Sequence, residues 1–151
     1  MEGTDHQILA LLARDGRMSY TDIGRETGLS TSAAQQRVRR LEQRGIIAGY
    51  QAVIDPNALG RTLTAFIQLR PLDPAADEAV PEHIDAMPEI VSCYSVAGDA
   101  SYLVKVHVSD TRELDMLLTR IRNHANVVTV TQVVLTTHFQ NRPTLPTLPT
   151  E

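Results

Sequence analysis

The stretch Glu26-Thr27-Gly28-Leu29-Ser30 limits this chain more than any other, because the backbone must reverse there between two helices. Gly28 can take the positive φ that so sharp a turn needs, and Gly24 leaves room for two helices to cross closely. A helix beginning near Ser19 or Tyr20 and carrying Ile23 should therefore end at Gly28. The next should start at Ser30 as its N-cap, run to about Arg44 and close at Gly45. Ahead of both, Asp5 is expected to cap a first helix whose stripe is Ile8, Leu9, Leu11 and Leu12 and which stops at Asp15-Gly16. Three helices with a short Gly-containing turn before the last read as a helix-turn-helix. The plainer alternative is a three-helix core with a solvated, Arg-rich face.

The chemistry of the third helix favours the helix-turn-helix. Ala34, Val38 and Leu41 fall at i, i+4 and i+7 and make the buried seam, leaving Thr31, Ser32, Gln35, Gln36, Arg39 and Arg40 mostly outward. Short hydroxyl and amide side chains suit the start of a helix entering the major groove, where Gln can make two hydrogen bonds to an adenine edge. Arg37, Arg39, Arg40 and Arg44 suit phosphates, which set orientation and affinity. They are about 100° apart around the axis, so not all four can face a duplex; Arg37 has the alternative of pairing with an acid inside the domain. The net charge of −4 conceals this focus. Residues 1–55 balance seven Arg against seven acids, while residues 30–50 hold four Arg and the single acid Glu42. A partner responds to that local field rather than to the total.

After Gly45 the run 46–54 is expected as a short strand, and Asp55-Pro56-Asn57 with Gly60 as a hinge. Beyond it, Leu63, Ala65, Ile67 and Leu69 alternate with Thr64, Phe66, Gln68 and Arg70, a strand with one buried face. A helix is expected from about Pro81, burying Ile84 and Met87, followed by strands at 90–97 and 102–109 around the turn Gly98-Asp99-Ala100-Ser101. Asp110 and Glu113 form a capping box for a helix facing inward through Leu114, Leu117, Leu118 and Ile121, and 127–137 is a β-branched last strand. Strand–helix–strand–strand–helix–strand is a ferredoxin-like order, so the expected class is α+β: a helix-turn-helix domain and a βαββαβ sandwich. The expected divisions are a DNA-binding domain at 1–54, a linker at 55–61, a second domain at 62–140 and an extended Thr-Leu-Pro tail at 141–151. Phe66, Val104, Val106 and Val133 are candidates for an uncovered sheet face, costly to leave wet, so two chains are expected to dimerise sheet to sheet.

Taken together, Asp15-Gly16-Arg17, Gly28-Leu29-Ser30, Arg37-Val38-Arg39-Arg40-Leu41-Glu42, Gly45-Ile46-Ile47 and Gly49-Tyr50 resemble the DNA-binding domain of the Lrp/AsnC (feast/famine) transcriptional regulators. The run from Ser95 to Tyr102 is similar to that family's ligand loop. The resemblance covers roughly residues 4–140. It implies binding to double-stranded palindromic operators, dimers that assemble into octamers or hexadecamers, and an amino-acid effector between neighbouring dimers. By position, the effector site would hold Gly98, Asp99, Ala100, Ser101 and Tyr102, with Val134 and Thr136 of the last strand on its other wall. The family often carries an acid immediately before the loop tyrosine. Here that position is Ser101, which offers only a neutral hydrogen bond, so Asp99 is the candidate for the charge.

Other functions are disfavoured. No apolar run approaches the roughly 18 residues of a bilayer span, and the opening residues are acidic and polar, so a cytoplasmic protein without membrane contact is expected. The five His show no paired metal spacing, and with one Cys neither a metal cluster nor an internal disulfide is expected. Aromatic residues make up 4% with no Trp, which disfavours base stacking on a sheet. No glycine-rich phosphate loop or nucleophile elbow occurs; no cofactor and no catalysis are expected. The rival readings are an enzyme built around Cys93 and His107 on neighbouring strands, and a DNA-binding protein of architectural type, tolerant of sequence.

Overall fold

The computed structural model describes residues 3–144. The chain divides into two compact units: one runs through Val53 and takes in the segment from Phe139, and the other is Ile54–His138. The tail expected at 141–151 is irregular through Thr144, and its remainder lies outside the described residues.

The first unit holds α1 (Gly3–Arg14), α2 (Tyr20–Thr27) and α3 (Thr31–Gln43). Ser19 caps α2, its hydroxyl accepting from the Asp22 amide at 3.1 Å, and Gly28 ends it at φ 72°. The Leu29 amide then donates back to the Gly24 carbonyl at 2.9 Å, which closes the turn. Ser30 caps α3 by accepting from the Ala33 amide at 3.2 Å. Ile8, Ile23, Ala34, Val38 and Leu41 are fully or almost fully buried where the three helices meet. Two expectations need correction. Asp5 lies within the first turn of α1 rather than ahead of it, and its buried carboxylate accepts from Arg37. Residues 46–54 form no strand: Ile46 and Ile47 both donate to the Leu41 carbonyl, and Val53 and Ile54 are exposed. A strand needs a hydrogen-bonded neighbour, and among the described residues this run has none.

The second unit follows the expected order with β1 (Leu63–Pro71), α4 (Val80–Ile84), β2 (Ile90–Ser95), β3 (Tyr102–Val108), α5 (Thr111–Ala125) and β4 (Val127–Val133). The sheet order β2-β3-β1-β4 is antiparallel throughout and ferredoxin-like. Pro74–Ala79 winds as a 3-10 turn before α4, so that helix is short; β2 and β4 also end earlier than expected. Asp110 accepts from the Glu113 amide at 2.9 Å, while the Glu113 carboxylate accepts from Ser109, a reciprocal cap at the start of α5.

Register corrects the open face. Ala65 pairs with Val106 and Ile67 with Val104, so both valines lie under the helices and are fully buried. Val133 pairs with Ala65 and shares that side. Of the four expected residues only Phe66 faces away from the helices; its companions by register are Tyr94, Leu103, Val128 and Val130. Lys105 and His107, alternating with the valines of β3, belong to this face too.

His107 is half-buried there, its Nδ1 2.9 Å from the Thr64 hydroxyl. Burial, then the nearby Lys105 and Arg61 charges, hold its pKa below the ordinary value. The neutral ring is therefore favoured on folding. Stability is fully present above the unfolded value of about 6.5 and is lost as pH falls from there through the lowered folded value. Urea unfolding between pH 7.5 and 5 should show this loss in the wild type, and His107→Gln should flatten it.

Candidate nucleic-acid interface and ligand cleft

The residues of α3 sort onto two sides. Ala34, Val38 and Leu41 are buried against α1 and α2, whereas Thr31, Ser32, Gln36, Arg39 and Arg40 are exposed and Gln35 is half-exposed. Ser32, Gln36, Arg39 and Gln43, at i, i+4, i+7 and i+11, form one continuous polar stripe. At its start the Ser32 hydroxyl lies 3.2 Å from that of Ser30, and the Thr31 hydroxyl donates to Thr21 of α2 at 3.4 Å. Thr21 escaped the sequence reading because only the turn brings it beside the start of α3.

Arg37 does not share that stripe. Its Nη1 lies 2.9 Å from the Asp5 carboxylate, which is 3% exposed, and Arg40 Nη2 approaches the same oxygen at 3.7 Å. The intradomain pairing left open by the sequence is thus the one present. Position 37 is three residues after Ala34 and four before Leu41, and that spacing already placed it beside the buried seam. Arg39 forms no ion pair among the described residues, and half of the Arg40 side chain meets solvent. The Tyr50 hydroxyl donates to Glu42 at 2.9 Å; burial first, then this carboxylate, pushes its pKa up to about 12.

In the second unit, the loop between β2 and β3 keeps Gly98 at φ 150°, in the region that favours glycine, with Gly98 and Asp99 exposed and Ala100 buried. Two backbone bonds fix its far side: Ser101 donates to the Leu69 carbonyl at 3.1 Å and Val96 to the Ser101 carbonyl at 2.9 Å. The Tyr102 ring is buried and its hydroxyl donates to the Asp77 carbonyl at 2.9 Å. Ser101 opens onto a cleft of about 420 Å³ whose other walls include Arg70, Leu72, Pro74, Asp77 and Val128. Asp99 and Ala100 border a second cleft of about 240 Å³ with Gln68, Arg70, Val128 and Val130. The loop therefore separates two hollows that share Arg70 and Val128.

Val134 and Thr136 are not brought to this loop within one chain. Tyr102 pairs with Leu69, and Leu69 with Thr129, whereas Val134 donates to Thr64 at the opposite end of β1. Leu69 and Thr64 lie five residue steps apart along β1, roughly 17 Å. Arg70 and Asp77 were missed by the sequence reading. Arg70 carried a signal, as the last outward residue of the alternating first strand.

The proposed Cys93–His107 pair does not form. Cys93 is in register with Val104 on the helix side, while His107 points from the opposite face. Burial raises the Cys93 pKa, which disfavours the thiolate.

Comparison with known proteins is in keeping with both units. Residues 1–42 match the model of the AsnC-type helix-turn-helix domain, and residues 64–144 that of the Lrp/AsnC ligand binding domain. The chain belongs to the Lrp/AsnC family of transcriptional regulators. This Lrp/AsnC member is 42% identical over 146 residues to the HTH-type transcriptional regulator LrpA of Mycobacterium tuberculosis, covering 97% of each chain. It is 34% identical over 139 residues to the regulator FL11 of Pyrococcus horikoshii, covering 91% of each. A feast or famine regulatory protein from M. tuberculosis, solved in complex with L-methionine, superimposes with a TM-score of 0.91 at 43% identity, covering 96% of this chain and 99% of that one. As a family member the chain is a helix-turn-helix regulator with a separate ligand-binding domain.

Proposed function

We propose that this chain reads DNA through the polar stripe of α3 and that a free amino acid, bound by the second unit, changes its assembly or its grip on the operator. Thr31, Ser32, Gln35 and Gln36 face base edges, and Arg39 and Arg40 the phosphates. Arg37 serves the fold instead. A dimer presents two such helices about one turn of DNA apart, roughly 34 Å. The apolar open face of the sheet around Phe66, Leu103 and Val130 is the surface offered for that dimer, and larger assemblies are built from it. The observation that carries the DNA reading is the continuous exposed stripe of hydroxyl, amide and guanidinium groups set apart from the buried seam of the same helix. Binding rather than catalysis is favoured by the separation of Cys93 from His107 on opposite faces.

Two substitutions test the docking. Gln36→Ala should relax preference at a single base position by roughly 1–3 kcal/mol. Arg39→Ala should weaken all duplexes alike and lower the slope of log affinity against log salt by about one. The measurement is fluorescence anisotropy on operator and random duplexes at matched salt. Equal wild-type affinity for both would instead support the architectural reading, and unchanged binding in both variants would remove α3 from the interface. For the effector, thermal shift against the twenty amino acids followed by sizing with each hit gives the direct answer. A ligand acts only through its different affinity for the two assemblies, so a hit must also move size or DNA affinity.

A further inference from the structure

The edge of the sheet at β2 is unprotected. β2 is an end strand in the order β2-β3-β1-β4, and residues 90–96 read Ile-Val-Ser-Cys-Tyr-Ser-Val, with neither a charge nor a proline. Folded proteins blunt such an edge with Lys, Pro or a covering segment, because its backbone groups offer themselves to another strand. Val96 donates to the Ser101 carbonyl at 2.9 Å, and antiparallel ladder bonds alternate along a strand. Ser92 and Tyr94 therefore bond to β3, while Cys93 and Ser95 turn their N–H and C=O outward. Val91, at the register shift, is 49% exposed. Between this edge and the α4 segment lies a cleft of about 240 Å³, its walls including Pro81, Asp85, Ile90, Val91 and Cys93. The surroundings carry one sign. Residues 73–85 hold Asp73, Asp77, Glu78, Glu82 and Asp85 with no Lys or Arg. Glu82 and Asp85 are exposed and form no ion pair among the described residues.

We propose that the β2 edge is a docking site for an extended, basic segment of a partner protein, which adds to the sheet as a fifth strand. Main-chain bonds to Cys93 and Ser95 give affinity, and side-chain pockets give selectivity. An apolar side chain of the added strand enters the cleft over Pro81, Ile90 and Val91. Side chains two positions away share that face, so Lys or Arg there meets Asp85 and Glu82. Charge decides the occupant. A second copy joined antiparallel through β2 would bring two acidic 73–85 segments to one junction, with no cation on either edge to offset them. The chain's own segment from Pro143 has proline at every third position, each lacking the N–H a ladder needs, and its one charged side chain is Glu151.

The test uses the full chain and a fluorescein-tagged probe, acetyl-Lys-Thr-Val-Thr-Lys-Thr-amide, whose Lys, Val and Lys share one face of a strand. By anisotropy it should bind at least tenfold more tightly than the same peptide with Glu for both Lys. N-methylation at Val and the following Thr, which removes strand donors, should cost at least as much. Cys93 is the one cysteine in the chain and borders the cleft, so it reports the location. Saturating basic peptide should slow its reaction with a maleimide at least tenfold. Val91→Lys, which gives the edge a charge, should abolish binding. Glu82→Gln with Asp85→Asn, both at exposed positions, should weaken it at least tenfold without lowering the melting temperature or the affinity for DNA. Basic and acidic peptides bound alike, no binding at millimolar peptide, or an unchanged maleimide rate under saturation would each overturn the proposal. So would a Cys93 protected without peptide that becomes reactive on dilution, the result expected if a second copy covers the edge.

Discussion

Arg37→Ala is expected to destabilise the first unit by about 3–5 kcal/mol, the usual cost of breaking a buried ion pair by removing one partner. The Asp5 carboxylate is 3% exposed, and Arg37 Nη1 is 2.9 Å from it; Arg40, at 3.7 Å, is too distant for a good hydrogen bond. Removing the guanidinium takes the nearest cation, at 2.9 Å, away from a desolvated carboxylate on α1 and leaves Arg40 at 3.7 Å from the same oxygen. Loss of DNA binding in this variant should follow loss of folding, tracking the folded fraction in urea. The comparison that isolates the pair is Asp5→Leu with Arg37→Met, which removes both charges and should recover most of the loss. If the double variant were simply the sum of the two single ones, the pair would not be coupled. A phosphate contact would be the better account if Arg37→Ala kept full stability yet bound every duplex more weakly.

Gly24→Val should cost about 3 kcal/mol in the same unit. A Cβ at position 24 would lie 2.6 Å from the Leu29 carbonyl oxygen and 3.4 Å from the Ser30 carbonyl group. Those are backbone atoms in the turn, tied to Gly24 itself by the Leu29 amide at 2.9 Å, so they cannot swing aside as a flexible side chain would. In an open helix the same change toward Ala would stabilise by about 1 kcal/mol. Here the clash exceeds that gain, so even Gly24→Ala should lower the melting temperature, with Val lower still. A higher melting temperature for the Ala variant would show that the turn can yield. The consequence for function is geometric: the turn sets the angle at which α3 leaves α2, so a variant that stays folded should still lose operator affinity.

Much of the design was legible because it depends on local rules. Ser19 and Ser30 cap their helices through their own hydroxyls, and Gly28 takes the positive φ its place demanded. Ala34, Val38 and Leu41 are buried because helical periodicity allows them no other common side. The alternation of β1 was likewise sufficient to put Ala65, Ile67 and Leu69 inside. The misassigned valines of β3 were an error of parity: Lys105 and His107 between them were the visible signal that Val104 and Val106 face the helices. The run 46–54 misled for another reason. β-branched residues fit a strand only where a neighbouring strand supplies hydrogen bonds, and propensity carries no information about a neighbour.

Capping, helical period and strand alternation are properties of a few consecutive residues, and from them the amino acids alone determined the two-part α+β architecture and the polar stripe of α3. Partner choice across long separations was decided only in three dimensions. Asp5 meets Arg37 across 32 positions, Tyr102 holds the Asp77 carbonyl across 25, and Arg70, Asp77 and Ser101 border one cleft. Each of these joins groups whose distance along the chain says nothing of their distance in space. Charge pairing and the satisfaction of buried polar atoms act through space, so they become definite only when packing has set the positions of the backbones that carry them.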